Sequence, residues 1–286
     1  MALTNFIPEV YAASVLTALD TQLAYGSLGV CNRDNEGDVS EYGGSVVINT
    51  AADPTIEDYV PYQDMIGGEA STSPQTMPLD QLKAWSLDLD DADRAQARDS
   101  GDFVGKIGLR AAHLLAKTAD AYIAGQMAAG IAPANVTAET SFDTPEAAYD
   151  AIVDLRTVLS ENDVPVDGRW AIVPPAFYAL LLKDPRFVSG DALGAQTRST
   201  GVVGSAAGVT VIESNQTPDG PGAGAGKMIF AGHAVATTYV DQVTKVEAVR
   251  LPSQFTDRLR GLHVYGAKVV RPTALAALDW VNGPAA

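Results

Sequence analysis

The sequence predicts an α+β fold with one long helix and mixed β-sheets, and three observations lead to this class. Apolar side chains recur at helical spacing from about residue 102 to residue 130. Apolar and polar residues alternate from Trp85 to Asp90, as they do along a half-buried strand. After Gly208 the chain is rich in short β-type runs. No internal repeat is present, so a single non-repetitive architecture is expected.

The composition is that of a folded protein with a substantial core. Of the 286 residues, 47% are hydrophobic and 19% are charged, which is typical of globular chains. No run of about 18 apolar residues is present, so we expect no membrane-spanning segment. Residues 1–8 lack a basic stretch followed by an apolar one, which predicts a protein without a secretory signal that stays in the cytoplasm where it is made.

The charge of the chain is strongly negative and unevenly distributed. The formal net charge of −16 argues against a surface that grips nucleic-acid phosphates. Residues 34–102 contain sixteen acidic residues and three basic ones, a net charge of −13, which leaves −3 for the rest of the chain. The simplest interpretation of this region is a solvated acidic segment.

Residues 1–33 are predicted to form an arm that contains a helix. Pro8 suits the first turn of a helix, and apolar residues then follow at every fourth position. These apolar residues are Tyr11, Val15, Leu19 and Leu23. Gly26 and Gly29 interrupt the pattern, so the helix is expected to end before them.

Residues 38–94 are predicted to form a two-legged β-hairpin with little core of its own. Ser45–Asn49 is a β-type run on the outgoing leg, and Gly67–Gln75 has the composition of an exposed turn at the tip. The return leg alternates, and the apolar residues on one of its faces are Trp85, Leu87 and Leu89. Because an isolated two-stranded hairpin is marginal in water, this face is expected to need a partner surface, which a neighbouring subunit could supply.

Two further helices and a β-rich end complete the prediction. The long helix, Asp102–Gly130, would be roughly 40 Å long at about 1.5 Å per residue. A second helix begins at Thr144-Pro145, and a third, Ala176–Lys183, follows the strand Arg169–Val173. The β-type runs of the C-terminal part are Val209–Glu213, Met228–Ala231, Val235–Val240, Val243–Arg250 and Leu262–Val270.

The glycine-rich segment Gly222–Lys227 does not match a phosphate-binding loop. That loop requires a glycine, four residues, and then Gly-Lys followed by a hydroxyl residue. Pro221 and Met228 occupy the first and last of these positions. The segment also precedes a β-type run and not a helix, so we predict a flexible turn between two strands.

No catalytic, cofactor-binding or metal-binding residue is predicted. His113, His233 and His263 have no partner at metal-ligand spacing, so we expect solvent-facing or hydrogen-bonded histidines. The acidic cluster Asp88–Asp93 lacks the glycine and glutamate of a calcium-binding EF-hand loop. Cys31 is the single cysteine of the chain and is expected to be an inert thiol. No G-x-S-x-G sequence is present, which leaves a hydrolase nucleophile unsupported.

Two segments and the order of the parts resemble the tailed-bacteriophage major capsid proteins. The first segment is Asp167–Phe187, with the sequence DGRWAIVPPAFY followed by LLLKDPRF, and the second is Phe255–Leu275, with GLHVYGAK and VRP. The order of the parts is also that of the family: an arm, an extended hairpin, one long helix, a helix–strand domain and a closing β-segment. The resemblance covers essentially the whole chain, and its motifs mark a fold and not a reactive site.

The resemblance implies a capsid fold with four parts. These are an N-terminal arm (1–33), an extended loop (34–95), a peripheral domain with a long spine helix of about 102–130 (96–143 and 241–272), and an axial domain with a mixed sheet (144–240 and 273–286).

The resemblance also implies a structural subunit, with no enzymatic activity and no cofactor, that self-assembles into an icosahedral head around double-stranded DNA. The expected partners are other copies in pentamers and hexamers, a separate scaffolding protein, a portal at one vertex, and possible decoration or minor capsid proteins. The DNA would be enclosed without sequence-specific binding, and no membrane is involved. The expected location is the virion, after assembly in the host bacterial cytoplasm.

The candidate assembly interface consists of Trp85, Leu87, Leu89, Arg258 and Arg260. The two arginines could pair with the acidic loop of another subunit or contact a ligand. Residues 34–82 contain no lysine, so we expect a shell without covalent cross-links from this loop. The alternatives are an encapsulin-type nanocompartment shell protein, which encloses a cargo enzyme on the same fold, and a hydrolase or transferase.

Overall fold

The structure, a computed structural model, describes residues 22–34, 44–51, 58, 72–90, 103–184, 204–222, 224, 226–253 and 255–284. Its helices are α1 (Phe103–Gly130), α2 (Pro145–Glu161) and α3 (Pro175–Lys183). Its strands are β1 (Ser45–Ala51), β2 (Thr72–Pro78), β3 (Gln81–Asp90), β4 (Val136–Phe142), β5 (Arg169–Val173), β6 (Ser205–Ala206), β7 (Val209–Glu213), β8 (Lys227–His233), β9 (Thr237–Arg250), β10 (Thr256–Val269) and β11 (Leu275–Asn282). Within the described residues, every helix is too short or too polar to cross a membrane.

Three of the four predicted helices are confirmed, and the fourth, the arm helix with Tyr11, Val15 and Leu19, lies outside the described residues. The long helix spans 28 residues and buries one face that combines alanines with larger apolar side chains. Its large buried residues are Leu115, Ile123 and Met127. Pro145 and Pro175 each stand at the start of a helix, where their missing N–H costs no helical hydrogen bond.

The main core lies against a mixed six-stranded sheet with the strand order β4-β11-β8-β5-β7-β6. β4 pairs with β11 and β5 pairs with β7 in parallel, while the other pairs are antiparallel. β5 is buried along its whole length, which explains why Arg169–Val173 is an almost continuous apolar run. α2 packs on this sheet with Ile152, Leu155 and Leu159 buried.

A second, three-stranded antiparallel sheet has the order β3-β10-β9. β9 and β10 have 14 residues each and form one long hairpin. The predicted separate runs Val235–Val240 and Val243–Arg250 are therefore wrong, because one strand contains most of both, and 234–236 is a short 3₁₀ helix.

The predicted return leg does not pair with the outgoing leg, which corrects the two-legged hairpin. β1 pairs with β2, whereas β3 pairs with β10 from the far end of the chain, with Trp85 opposite Gly261. The predicted tip is wrong at residues 72–75, which belong to β2. Polar composition suggested a turn there, but backbone pairing with β1 makes these residues a strand.

The β1–β2 sheet is covered by the chain itself. Val46, Ile48 and Met77 form a small apolar cluster with Leu79 and Val240 of β9. The surface that the predicted hairpin needed is therefore supplied partly by the chain's own C-terminal half.

Candidate assembly surface

One face of the β3–β10–β9 sheet is apolar. Trp85 and Leu87 lie on this face, half-buried, while Ser86 and Asp88 point the opposite way. Trp85 packs over Gly261, where an added Cβ would come within 2.9 Å of Cε2 of its indole ring. Glycine is therefore required at this position of β10 for the tryptophan to lie flat against the sheet.

The opposite face of the sheet carries two arginine–carboxylate pairs. Arg258 of β10 donates two hydrogen bonds to Asp88 of β3, with Nε–Oδ1 and Nη2–Oδ2 distances of 2.5 and 2.6 Å. Arg260 donates to Glu247 of β9, with Nη2 2.7 Å from Oε2. The hydrogen bond from Arg258 lowers the pKa of Asp88. Arg258, Arg260 and Glu247 line a groove of about 450 Å³ together with Trp85.

The structure brings the predicted interface residues onto one sheet but onto two faces. Trp85 and Leu87 are on the apolar face, and Arg258 and Arg260 are on the charged face. Leu89 lies on β3 opposite Asp257, and its side chain is outside the described part of the structure. Arg258 pairs with the acidic region of its own chain, an arrangement that the sequence alone did not predict.

The far end of the β9–β10 hairpin presents a large apolar side chain. Phe255 is 81% exposed at the turn between the strands. The guanidinium of Arg250 lies over its ring at 6.0 Å and also bonds Asp257 at 3.0 Å. The hairpin therefore ends in an aromatic group held between charged neighbours.

Residues 24–26 are fixed to α1 by one buried carboxylate. Asp120 is 3% exposed, and its two oxygens accept the backbone N–H groups of Ala24, Tyr25 and Gly26 at 2.9, 2.9 and 3.2 Å. Burial raises the pKa of Asp120 to about 6, against the opposing effect of the three hydrogen bonds. This residue was missed from the sequence, although it is the single acid within α1 and interrupts an apolar pattern.

A second contact fixes the same segment to β9. Asn32 forms a parallel bridge with Thr238, and Arg33 bonds Asp241 at 2.9 Å. The Asp241 carboxylate also lies 3.6 Å from Nε2 of His263. Burial acts to raise the pKa of Asp241, but His263 and Arg33 outweigh it and leave the pKa below its ordinary value.

The histidine prediction is therefore only partly right. His263 is fully buried and faces a carboxylate from the neighbouring strand, which sequence spacing could not reveal. His113 is exposed and bonds Gln22 at 3.0 Å. His233 accepts the backbone N–H of Val235. Among the described residues, no group of three possible metal ligands is found.

Cys31 is buried, and burial raises the pKa of its thiol, so it remains protonated at neutral pH. Its Sγ donates to the carbonyl oxygen of Tyr25 at 3.1 Å. The environment of this thiol agrees with the prediction of an inert cysteine.

The glycine-rich turn between β7 and β8 holds carboxylates of its own chain. The N–H of Gly222 donates to Asp279 at 2.9 Å, and the N–H of Gly224 donates to Glu139 at 3.1 Å. Two backbone amides that a phosphate would use are thus occupied by β11 and β4 side chains. The turn was predicted, but this fixation to two neighbouring strands was not.

Comparison with known proteins identifies the class to which this architecture belongs. A structure from Mycobacterium phage Che8 matches with a TM-score of 0.71 and 28% identity, over 90% of this chain and 91% of that one. The mature capsid of bacteriophage PhiM1 matches with a TM-score of 0.59 and 19% identity, over 85% and 83%. The holo-SrpI encapsulin complex of Synechococcus elongatus matches with a TM-score of 0.53 and 12% identity, over 82% and 81%. No curated protein sequence matches significantly.

The fold is thus that of tailed-phage capsid subunits. The family model described as phage capsid protein matches residues 76–278, and the chain belongs to this family. It is a shell-forming capsid subunit, and the weaker likeness to an encapsulin shows that the two kinds of shell share a fold.

Proposed function

We propose that the chain forms the icosahedral head of a tailed phage, as pentamers and hexamers of itself, around double-stranded DNA. The observation that carries the proposal is the exposed apolar surface of the β3–β10–β9 sheet. Leu82 and Val249 are 64% and 37% exposed on the face that carries the arginine–carboxylate pairs, and Phe255 is 81% exposed at the turn between β9 and β10. At about 3.3 Å per residue, its 14-residue strands extend roughly 45 Å, so the sheet can reach neighbouring copies.

The proposed interface uses the two faces of this sheet differently. Trp85, Leu87 and Leu89 would contribute apolar contact area, while Arg258 and Arg260 would present ion pairs already formed within the subunit. Such pairs need no reorganisation of the arginines when two copies meet, because each guanidinium has its carboxylate in place.

The proposed division of the chain follows the family fold. The peripheral domain would contain 96–143 with 241–272, and the axial domain would contain 144–240 with 273–286. β10 and most of β9 fall in the proposed peripheral domain and most of the six-stranded sheet falls in the proposed axial domain, but β4 (Val136–Phe142) of that sheet lies within 96–143. The arm (1–33) and the extended loop (34–95) would lie over adjacent subunits.

The remaining partners are inferred from the role of the chain as a capsid subunit and from its net negative charge. A separate scaffolding protein, a portal at one vertex and decoration proteins would complete the head, which would assemble in the host cytoplasm. The net charge of −16 would leave enclosed DNA free to move, because the chain offers few cations to phosphate. The proposal assigns no catalytic role, and turnover by purified particles would contradict it.

The test is particle formation by the full chain co-expressed with the phage head-assembly genes. Trp85→Asp should give soluble subunits without shells in negative-stain images, because a carboxylate would replace the apolar contact. The matched control is Val166→Asp, at a 59% exposed position away from this sheet.

Normal shells from Trp85→Asp would contradict the assigned interface. Circular dichroism and size-exclusion chromatography of that variant distinguish lost contact from misfolding. Particles of the unchanged chain that enclose a single enzyme and no DNA would favour the nanocompartment function.

A further inference from the structure

The exposed face of α1 differs in charge from the rest of the molecule. In a chain with net charge −16, the single acid of α1, Asp120, is buried and engaged by backbone N–H groups. The exposed charged side chains described on this helix, Arg110 and Lys117, are both basic. They stand seven residues apart, which places them on one face at a separation of roughly 10 Å.

Two leucines flank these cations. Leu109 and Leu114 are 53% and 49% exposed, although large apolar residues on a helix usually face the core. We name Leu109, Arg110, His113, Leu114 and Lys117 the α1 stripe. Within the described part of the chain, neither Arg110 nor Lys117 has an ion-pair partner, so the α1 stripe combines half-exposed apolar side chains with unneutralised positive charge.

We propose that the α1 stripe is the docking site for an acidic amphipathic helix of a separate assembly protein. The inference rests on the proposed head-building function, and it names the chemistry of one partner. An acidic helix satisfies both halves of the stripe: carboxylates at seven-residue spacing reach Arg110 and Lys117, and apolar residues between them cover the leucines. Helices in such contact lie roughly 8–10 Å apart, within reach of these side chains.

The two leucines favour a protein helix over packaged DNA as the ligand of the α1 stripe. Two cations in a strongly negative chain neutralise few phosphates, so they bind DNA weakly at physiological salt. Half-exposed leucines would bury little apolar surface against a phosphate backbone. An apolar helix face that covers them would remove that surface from water, which is favourable. An amphipathic helix that binds through apolar residues and is attracted by charge therefore fits the α1 stripe better than DNA does.

The first test measures binding to unassembled full-length subunits, so it does not depend on shell formation. The probe is a synthetic peptide of about twenty residues, long enough to form a helix, with glutamates at seven-residue spacing and leucines on the same face. Its controls are the scrambled sequence, the same peptide with lysine for glutamate, and a short DNA duplex. Fluorescence anisotropy should show binding of the acidic amphipathic peptide alone.

Charge reversal localises the site. The double variant Arg110→Glu/Lys117→Glu should bind the acidic peptide at least about tenfold more weakly, because like charges then face each other. The control is Lys183→Glu, which reverses an exposed charge on α3. Equal binding of the scrambled peptide, tighter binding of the duplex, or unchanged affinity of the double variant would overturn the proposal.

The second test measures whether the α1 stripe is needed for shell assembly. With the head-assembly genes present, the double variant should form capsomers but few closed shells, whereas Lys183→Glu should form normal ones. Normal shells from the double variant would refute the docking role. If the unchanged chain binds the peptide but never forms shells, the proposed head-building function fails while the stripe remains a binding site.

Discussion

The contact between Asp120 and the segment 24–26 gives a prediction that can be worked out in free energy. Asp120→Ala removes the acceptor of three backbone N–H groups in a buried place. Each of the three buried donors left without a partner costs roughly 1–3 kcal/mol, so the gross loss is about 3–9 kcal/mol. The helix itself gains slightly, because alanine is the better helix former.

Part of this loss of stability is offset, because the ionised carboxylate of Asp120 is itself costly to bury. Burial raises the pKa of Asp120 from 3.8 to about 6, which corresponds to about 3 kcal/mol against the ionised form. Alanine removes that penalty above pH 6, so the net destabilisation at pH 8 should be about 0–6 kcal/mol. At pH 5 the native carboxyl is largely protonated but the unfolded one is ionised, so about half of the penalty remains. The loss caused by Asp120→Ala should therefore be larger at pH 5 than at pH 8 by about 1.4 kcal/mol.

The sign of the pH dependence follows from the two pKa values. Because the folded-state pKa lies above the unfolded one, the native protein binds the extra proton between about pH 4 and pH 6. The contribution of Asp120 to stability is therefore greatest below this range, falls as the pH rises through 6, and is constant above it. Asp120→Asn cannot titrate and should lack this dependence.

The assay is guanidinium unfolding of unassembled subunits at pH 5 and pH 8, with hydrogen exchange at residues 22–31 as the local readout. Asp154→Ala, which removes an exposed acid from α2, serves as the control. The difference between the unchanged chain and Asp120→Ala isolates one carboxyl from all others. A difference that is the same at both pH values, or unchanged exchange at 22–31, would show that Asp120 does not fix this segment.

Three further outcomes follow from contacts described above. Gly261→Val should destabilise the subunit by about 1–3 kcal/mol, since its side chain overlaps Trp85, and a lower guanidinium midpoint with a shifted tryptophan emission would report it. Asp279→Ala should cost about 1–3 kcal/mol and speed hydrogen exchange at Gly222, which loses its acceptor; unaltered exchange would contradict the contact. Arg258→Glu should leave subunit stability nearly unchanged, because its ion pair is exposed, but should reduce the yield of shells counted by electron microscopy.

The helices and the buried strands could be predicted because their signals are local. A 28-residue apolar stripe, the proline at the start of α2 and the continuous apolar run of β5 each depend on neighbouring residues alone. Pairing partners were harder to predict. β3 joins β10 across about 170 residues of sequence, and alternation shows that a strand exists without showing what it pairs with.

The same limit explains which site residues were missed. Trp85 and Arg258 could be proposed from composition, but their positions on opposite faces of one sheet depend on the β3–β10 register. Asp120 and Asp279 act through backbone N–H groups of distant segments, and backbone donors leave no mark in the sequence. The lone acid in an apolar helix was a usable signal, because a buried carboxylate requires a partner.

The contacts of the glycine-rich turn also affect whether the subunit can bind free anions there. Asp279 and Glu139 are tethered beside the amides of this turn, so a free phosphate, whether from the buffer or from a nucleic acid, competes with ligands that cannot diffuse away. Any such anion must also approach two negative groups at short range. In the segment that most resembles a nucleotide-binding loop, the described amides of Gly222 and Gly224 thus already have carboxylate partners from the same chain.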